Sequence, residues 1–300
     1  MNRLVIVCGP TGAGKTAVAV ALAKKFNGEL ISADSRQVYR GMDIGTGKDT
    51  KSLHGVGIWM YDVVDPDELF SVSQYQKKAR AYIENIQKRN KLPIIVGGTG
   101  LYIQSLIQTV PTMGVAPDTN LRKKLNEYSI EKLQDLIQKK YPEVWKKLNN
   151  SDRNNPHRLI RKIELGRAGI TVVKKPSVAV QDICWVGLKA PLGDIYKRID
   201  DRVEARIEQG IIEEVKRLLE KGYTWQLPSM SGLGYREWKN YFDGIKTKGE
   251  VIREWKYDEH GYARRQMTWF KRNKNIHWFD VTTGGFKEKI ESLVKPWYTS

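Results

Sequence analysis

An eight-residue loop near the start of the chain contains the residue types that bind phosphate groups. Residues 9–16 read Gly-Pro-Thr-Gly-Ala-Gly-Lys-Thr and satisfy the pattern G-x-x-x-x-G-K-[ST] in full. Glycines let successive backbone N–H groups point at phosphate oxygens, Lys15 adds a positive charge, and the Thr16 hydroxyl is placed to bind Mg²⁺. The residues predicted to bind phosphate are Gly9, Pro10, Thr11, Gly12, Ala13, Gly14, Lys15 and Thr16.

The flanking residues predict that this loop joins a strand to a helix. Residues 4–8 form a short apolar run, and residues 17–26 carry apolar side chains at helical spacing. Similar alternation continues along the chain, which predicts an α/β fold with a P-loop NTPase-like parallel sheet and helices on both faces. The predicted strands are residues 4–8, 30–33, 92–96, 182–188 and 276–281, and the predicted helices are residues 15–26, 72–89, 101–107, 192–208, 211–221, 235–241, 248–274 and 286–294.

Two polar segments also follow predicted strands. Asp34 opens the segment Asp-Ser-Arg-Gln, and Thr99 lies within Gly-Gly-Thr-Gly. Ligands of parallel sheets bind at the carboxyl ends of the strands, so we expect the phosphate loop, Asp34 and Thr99 to meet in one crevice. An ATPase or GTPase normally has an apolar strand that ends in a Mg²⁺-binding Asp. We find no such strand, and the sequence does not support hydrolysis of a nucleotide.

The chain is strongly basic. Its 300 residues include 51 Lys and Arg against 34 Asp and Glu, a formal charge of +17 with a pI near 9.7. This excess favours a polyanionic partner over a merely soluble basic surface. Cys8 and Cys184 have no disulfide or metal-ligand spacing and are predicted to be buried in a reducing compartment. Without a leader or an apolar run of membrane length, the chain is expected to be cytoplasmic, with no membrane partner.

Much of the positive charge is concentrated in the middle of the chain. Residues 119–175 contain 15 Lys and Arg against 6 Asp and Glu, in a polar sequence of helical character. The sheet pattern resumes at residue 182, which marks the preceding stretch as an insertion. We predict a core formed by residues 1–116 and 177–300, and a basic helical insertion domain formed by residues 117–176.

A second basic cluster lies in the last long predicted helix, where residues 264–272 read Arg-Arg-Gln-Met-Thr-Trp-Phe-Lys-Arg. In nucleic-acid complexes, cations contact phosphates, while rings and amides contact bases. The alternative is an ordinary amphipathic helix with Trp269 and Phe270 in the core and the charges in solvent. Residues 232–236, which read Gly-Leu-Gly-Tyr-Arg, leave the same two interpretations open.

Taken together, four segments resemble those of the tRNA dimethylallyltransferases. They are the phosphate loop, Asp-Ser-Arg-Gln-Val-Tyr at 34–39 with Met-Asp-Ile-Gly-Thr at 42–46, Gly-Gly-Thr-Gly-Leu-Tyr at 97–102, and Arg-Arg-Gln-Met-Thr-Trp at 264–269. The likeness spans nearly the whole chain. The chain departs from the family at residues 58–62, where a His-containing turn is usual, at Gly47, where Ala is usual, and at residues 258–260, where Thr and Arg are common.

The resemblance implies transfer of a dimethylallyl group from dimethylallyl diphosphate to N6 of the adenine next to the anticodon, position 37 of tRNA. An adenine amine is a poor nucleophile, so a carboxylate that accepts its proton is useful, and Asp34 takes this role. Lys15, with Mg²⁺ on Thr16, would stabilise the departing diphosphate, and the resemblance adds Thr99 and Arg202 as catalytic residues. Without the resemblance, Asp34 fits equally well as a turn residue or helix cap, and Arg202 as a solvated charge.

By the same resemblance the partner is the anticodon stem-loop of tRNA, whose target base must be swung out of its stack to reach a pocket. The basic insertion is a candidate for holding that gap open, and the enzyme is expected to act as a monomer. The residues implied to contact tRNA are Asp34, Ser35, Arg36, Gln37, Thr99, Arg122, His157, Arg158, Arg161, Gly234, Tyr235, Arg236, Arg264, Arg265, Gln266, Thr268, Trp269 and Lys271.

Three other functions stay open at this point. An adenylate isopentenyltransferase would modify a free nucleotide and would need no basic insertion. A small-molecule kinase would hold ATP in the phosphate loop and use Asp34 to activate a hydroxyl. An RNA-binding module without activity would leave Lys15, Thr16 and Asp34 without a role.

Overall fold

The computed structural model of the chain describes residues 3–48, 50–108, 115–170 and 182–299. The chain divides into two structural units. The core unit comprises Met1–Ile107 with Val180–Ser300, and the insertion unit comprises Gln108–Ala179. The insertion domain predicted for residues 117–176 falls within the second unit, and its predicted end lies outside the described residues.

A six-stranded parallel sheet forms the centre of the core unit. Its strands are β1 (Arg3–Cys8), β2 (Gly28–Ser32), β3 (Ile58–Trp59), β4 (Leu92–Val96), β5 (Asp182–Lys189) and β6 (His277–Asp280), in the order β3-β2-β4-β1-β5-β6. In the centre of the sheet, Val5 of β1 opposes Ile94 of β4 on one side and Cys184 of β5 on the other. The predicted α/β fold with a parallel sheet is confirmed. The sequence pattern does not predict β3, because two residues are too few to show alternation.

Helices surround this sheet and build the insertion unit. Those of the described residues are α1 (Lys15–Lys25), α2 (Val72–Lys88), α3 (Gly100–Ile107), α4 (Thr119–Leu125), α5 (Ile130–Lys140), α6 (Pro142–Lys146), α7 (Asn150–Arg153), α8 (Pro156–Arg167), α9 (Leu192–Glu208), α10 (Ile211–Glu220), α11 (Lys239–Phe242), α12 (Lys248–Phe270) and α13 (Phe286–Thr299). Single 3₁₀ turns lie at Lys51–Leu53, Ser229–Ser231 and Arg236–Trp238.

Three helices differ from their predictions by several residues. One of them, α13, continues to Thr299 beyond its predicted end at residue 294, with Pro296 inside it. The helix α12 ends at Phe270 and not at residue 274, because the side chain of Asn273 accepts the N–H of Asn275 at 3.0 Å. Such a local side-chain bond competes with helical backbone bonding. The helix predicted for residues 235–241 is a 3₁₀ turn followed by α11. There the N–H of Trp238 donates to the carbonyl of Tyr235 at 3.0 Å, with the three-residue spacing of a 3₁₀ helix.

Both faces of the sheet are buried under helices. Side chains alternate along β1, so that Leu4, Ile6 and Cys8 pack with α2, α3, α10 and α12, while Val5 and Val7 pack with α1 and α13. Cys8 and Cys184 are buried and free, as predicted, and burial raises the pKa of the Cys8 thiol to about 12. The two layers hold the strand ends at one edge of the sheet in fixed positions.

The insertion unit has an apolar core of its own, to which Leu125, Leu133, Ile137, Leu159 and Ile163 contribute. Short polar side chains start its helices by accepting N–H groups of the first turn. These caps are Asp118 for α4, Ser129 for α5, Asn149 for α7 and Asn155 for α8. Across the part of the chain that the structure describes, no helix is both long enough and apolar enough to span a bilayer.

Candidate active site

Three loops converge where neighbouring strands of the core unit end. The phosphate loop follows β1, Asp34 follows β2, and Gly97 and Gly98 follow β4. Because β2, β4 and β1 are parallel neighbours, their carboxyl ends share one edge of the sheet. All three loops line a cavity of about 820 Å³. The phosphate loop and Asp34 thus meet as predicted, whereas Thr99, the third residue predicted for this crevice, is not among the residues that line it.

The phosphate loop passes directly into the N-terminus of α1. Gly14 precedes the helix with φ 77°, a left-handed conformation that disfavours any residue with a side chain by roughly 1–2 kcal/mol. Lys15 and Thr16, the first two residues of α1, line the cavity. The first N–H groups of a helix have no partner within it, so they offer donors to an anion at this end.

The ammonium of Lys15 lies over the loop. Its Nζ donates to the carbonyl oxygen of Pro10 at 2.8 Å. The pKa of Lys15 is lowered to about 8, because the ammonium is withdrawn from water and, secondarily, because the Arg202 guanidinium is nearby. An anion bound between these two cations would favour the charged form of Lys15.

Gln266 of α12 joins two of the converging loops. Its Oε1 accepts the N–H of Thr11 at 2.8 Å, and its Nε2 donates to the carbonyl oxygen of Gly98 at 3.1 Å. The side chain is 5% exposed, so neither bond is replaced easily by water. Gln266 therefore fixes the phosphate loop against the loop after β4, a role that the sequence motif does not reveal.

Asp34 is half-buried in the cavity wall. Its Oδ1 accepts the N–H of Arg36 at 2.8 Å, a local turn that orients the carboxylate. Thr99 lies beside it, where its Oγ1 accepts the N–H of Ser35 at 3.1 Å. Burial, and secondarily the charge of Asp34, raises the pKa of Tyr262, which is hydrogen-bonded to Thr99. The turn and the role of proton acceptor are compatible, because the turn positions a carboxylate on the cavity.

Cations outnumber carboxylates on the cavity wall, seven to three. Arg202 is tied to the phosphate loop, because its Nη1 donates to Oγ1 of Thr11 at 2.9 Å. Arg36 donates from Nη1 to the carbonyl oxygen of Pro228 at 2.6 Å. This imbalance suits a ligand with several negative charges. The cations are Lys15, Arg36, Arg198, Arg202, Arg206, Arg236 and Arg265, and the carboxylates are Asp34, Asp201 and Glu259.

The predicted nucleic-acid block of α12 divides among several environments. Arg265 and Gln266 line the cavity, while Arg264 is exposed and donates from Nη1 to the Tyr196 hydroxyl at 2.7 Å. The remaining members are Thr268 and Lys271, which are exposed, and Trp269, which is half-buried against Gly100.

Most of residues 232–236 are buried in the core unit, and only Arg236 is exposed. Tyr235 is 1% exposed, and its hydroxyl donates to Oε1 of Glu214 at 2.6 Å. The N–H of Gly234 donates to Oε2 of Glu237 at 2.9 Å, and burial raises the pKa of Glu237 to about 7. Arg236 alone of the predicted residues in this segment lines the cavity.

The predicted tRNA-binding arginines of the insertion unit have carboxylate partners. Arg122 binds the buried carboxylate of Glu164 through Nε and Nη2, at 2.7 and 2.9 Å, and Arg161 binds it through Nη1 at 2.9 Å. Arg158 pairs with Asp152 at 2.8 Å, and His157 is exposed at the start of α8. Three of these four side chains are thus held by contacts within their own unit.

Sequence reasoning missed several cavity residues. Arg198 and Arg206 lie four residues either side of Arg202 on α9, and residues four apart share a helix face. That spacing is a signal that the sequence offers. Asp201 precedes Arg202 on the same helix, and no local pattern indicates Ser52 or Tyr262, which reach the cavity from other segments. The remaining ones lie in segments that the family resemblance singles out, although it gives them no role at the site: Gly45, Thr46, Gly47, Tyr61 and Glu259.

The departures from the family pattern also cluster at this site. Gly47, Tyr61 and Glu259 line the cavity. His260 lies next to Glu259 in the chain, and its Nε2 is 2.8 Å from Oδ1 of Asp200.

A metal ion at this site would depend on the ligand for most of its coordination. Within the described ranges, no three His, Cys, Asp or Glu side chains group as metal ligands do. Mg²⁺ commonly binds through one or two protein groups together with substrate phosphates. The hydroxyl of Thr16 at the cavity fits that kind of site.

Comparison with known proteins gives consistent results. The family model described as IPP transferase matches residues 37–273. A tRNA dimethylallyltransferase of Roseiflexus sp. (strain RS-1) is 42% identical and is covered over 99% of both chains. The crystal structure of the full-length tRNA isopentenylpyrophosphate transferase from Bacillus halodurans has a TM-score of 0.75, with 35% identity over 100% of this chain and 97% of that one. A eukaryotic dimethylallyltransferase acting on tRNA has the same fold, with a TM-score of 0.80 at 24% identity over 97% of this chain and 77% of that one.

Proposed function

The chain belongs to the IPP transferase family, and on that premise we propose how its residues carry out the reaction. It is a prenyltransferase that transfers a dimethylallyl group to an adenine of tRNA. The donor that we propose is dimethylallyl diphosphate, and the acceptor atom is N6 of the adenine next to the anticodon, position 37. The product is N6-(dimethylallyl)adenosine in tRNA.

The observation that carries this proposal is that a phosphate loop and a turn-oriented carboxylate open into the same cation-rich cavity. The loop supports binding of the diphosphate end of the donor, and Asp34 lies on the same wall. A kinase would also need the loop. The excess of four cations over carboxylates favours a ligand set that includes both a diphosphate and a nucleic-acid backbone.

In the proposed reaction the bond between the allylic carbon and the diphosphate oxygen breaks, and a bond from that carbon to N6 forms. The proton on N6 leaves to the carboxylate of Asp34. A positioned general base typically contributes about 10²–10⁴-fold to the rate. Because the turn with Arg36 fixes Oδ1 of Asp34, the carboxylate need not reorganise during the transfer.

The negative charge that develops on the diphosphate is stabilised by donors already in place. These are the N–H groups at the start of α1, the ammonium of Lys15 and the guanidinium of Arg202, which the Thr11 hydroxyl holds beside the loop. Donors that are fixed before the reaction stabilise a leaving group without further reorganisation. When Mg²⁺ is bound, it would be held by phosphate oxygens and Thr16, and it would neutralise part of that charge.

The tRNA side of the proposal rests on cavity residues of the core unit and on the basic insertion unit. Arg36, Arg236 and Arg265 line the cavity and are placed to contact phosphates or a base that has left its stack. We also propose that the enzyme acts as a monomer in the cytoplasm, where its tRNA substrate is found.

One assay tests the proposal against its two enzymatic alternatives. The purified chain is incubated with labelled dimethylallyl diphosphate and Mg²⁺, together with bulk tRNA or with AMP. We expect label in tRNA and none in AMP. Label in AMP alone would identify an adenylate isopentenyltransferase. Displacement of the bound donor by equimolar ATP, with no label in either acceptor, would favour a kinase.

A further inference from the structure

Gly47 lies beneath two guanidinium groups on the cavity wall. A Cβ atom at this position would come within 3.0 Å of Nη2 of Arg202 and closer still to Nη2 of Arg206. Gly47, Arg202 and Arg206 all line the cavity. The missing side chain therefore provides the space in which the two guanidiniums meet.

Arg206 is held rigidly in this position. Its Nη1 donates to Oε1 of Glu259 at 3.2 Å, and the two side chains are only 8% and 9% exposed. Its guanidinium also lies over the ring of Trp255, at 5.7 Å from the ring centroid. A long side chain anchored at two points loses little further freedom when it binds a ligand.

Two guanidiniums that converge on one point repel each other unless an anion lies between them. Glu259 is paired with Arg206, and Arg202 is bonded to the Thr11 hydroxyl of the phosphate loop. The place where the two guanidiniums meet is therefore next to the phosphate loop. Arginine presents a planar set of donors that matches phosphate oxygens two at a time, so the anion that fits is a ligand with two adjacent phosphates.

We propose that Arg206 is a further diphosphate-binding residue, that Glu259 positions it, and that Gly47 provides the space it needs. The inference rests on the proposed function and deepens it. The site accordingly has two guanidiniums from α9, four residues apart, next to the phosphate loop. Glycine at position 47 and arginine at position 206 depend on each other, because either alone would leave a clash or a gap.

A matched pair of glycine variants tests the steric part of the proposal. In Gly47→Ala the new methyl group displaces the guanidiniums, whereas Gly41→Ala introduces the same left-handed strain without any atom within 4 Å, since φ is 67° at Gly47 and 70° at Gly41. We expect Gly47→Ala to weaken the binding of inorganic pyrophosphate, measured by calorimetry, by about 10- to 100-fold, the loss typical of a charge-assisted hydrogen bond. Equal affinities for the two variants would overturn the proposal.

A double substitution tests whether the effect of Gly47→Ala depends on Arg206. Arg206→Met combined with Glu259→Gln removes both charges, so no buried carboxylate is left without a partner. In this background, adding Gly47→Ala should weaken pyrophosphate binding clearly less than it does alone, because only the contact of the new methyl group with Nη2 of Arg202, at 3.0 Å, remains. If Gly47→Ala weakens binding as much in this background as it does alone, the methyl group acts through something other than Arg206, and the proposal is wrong.

The readouts separate this inference from the proposed function. If the unmodified chain transfers no prenyl group to tRNA, the proposed function fails, and the pyrophosphate titrations still report on Arg206. If transfer occurs but the Arg206→Met/Glu259→Gln variant keeps the full affinity for pyrophosphate and the same KM for the donor, the inference alone fails. The dissociation constant for tRNA should be unchanged by Gly47→Ala.

Discussion

The cavity of the core unit and the insertion unit are both rich in cations, but the two regions use them differently. Around the cavity, the cations converge from several distant segments on one space, with seven cations against three carboxylates. In the insertion unit, Arg122 and Arg161 share the buried carboxylate of Glu164 and Arg158 pairs with Asp152. These three arginines thus stabilise their own unit, and most of its described lysines are exposed.

This contrast shows that a charge count does not identify a binding surface. Residues 119–175 hold 15 cations against 6 anions, yet several of the arginines among them are already paired with carboxylates. Burial by itself raises the pKa of the Glu164 carboxyl. The hydrogen bonds from Arg122 and Arg161 together have the opposite and larger effect, so the pKa is lowered overall and the group is ionised. Specific chemistry is therefore expected from the cavity, and non-specific phosphate binding from the exposed lysines.

The largest effect is expected for Asp34→Ala, which tests whether a carboxylate of the cavity accepts the N6 proton. Loss of the proton acceptor should lower the single-turnover rate of prenyl transfer by about 10²–10⁴-fold. The affinities for donor and tRNA should change little, because the group is needed mainly as the N6 proton leaves. Asp34→Asn is the matched control, since it keeps the turn with Arg36 but cannot accept the proton. An unchanged rate in both variants would remove Asp34 from this role.

The next effect concerns Lys15 and pH. Its pKa of about 8 lies below the ordinary value of 10.5, so the ammonium is charged below pH 8 and loses its proton as the pH rises through that value. We expect kcat/KM for the donor, which reports on the free enzyme, to fall above about pH 8. Lys15→Arg should remove this fall because a guanidinium stays charged. A profile for Lys15→Arg that falls at the same pH would assign the titration to another group.

The parts of the fold predicted from sequence are those with local patterns. Residues 92–96 coincide with β4, and the phosphate loop and Asp34 lie at the ends of strands in one sheet, because buried β-branched runs and glycine-rich turns are local signals. The contacts of Gln266, Arg206 and Gly47 join segments far apart in the chain. Such partners depend on how α9 and α12 pack, and periodicity does not specify which side chains will meet.

Arg122→Gln tests whether the paired arginines of the insertion unit stabilise that unit and do not bind tRNA. The variant leaves the carboxylate of Glu164 with Arg161 and the N–H of Asp118 as partners. Because one bidentate bond to a buried charge is removed, we expect the insertion unit to be destabilised by roughly 1–3 kcal/mol. Thermal unfolding measures the change. The salt dependence of tRNA binding should stay the same, and a reduced salt dependence with unchanged stability would show that Arg122 contacts tRNA instead.

The smallest effect is expected for the exposed lysines of the insertion unit. Lys139, Lys140, Lys146 and Lys147 are exposed, and two of them make only surface ion pairs, with Asp135 and Glu143. Such pairs contribute about 0–1 kcal/mol, so these lysines are available to phosphates. Replacing all four by Gln should weaken all tRNAs alike. It should also reduce the log–log salt slope by up to about 0.7–0.9 for each phosphate that is no longer neutralised.

The matched control for the lysine variant is a quadruple substitution by Gln of exposed lysines in the core unit. Replacing Lys77, Lys78, Lys88 and Lys287 removes the same charge without touching the cavity wall. Equal changes of salt slope in the two quadruple variants would mean that only net charge matters. An unaltered slope in the insertion variant would show that these four lysines neutralise no phosphate of tRNA.

The most direct test of the proposed function uses two anticodon stem-loop RNAs that differ at one base. One carries adenine next to the anticodon at position 37, and the other carries guanine there. Each is incubated with the unmodified chain, Mg²⁺ and labelled dimethylallyl diphosphate, then digested to nucleosides. We expect label in the first RNA, on its adenosine fraction, and none in the second. Equal labelling of both RNAs, or label on any other nucleoside, would contradict transfer to N6 of that adenine.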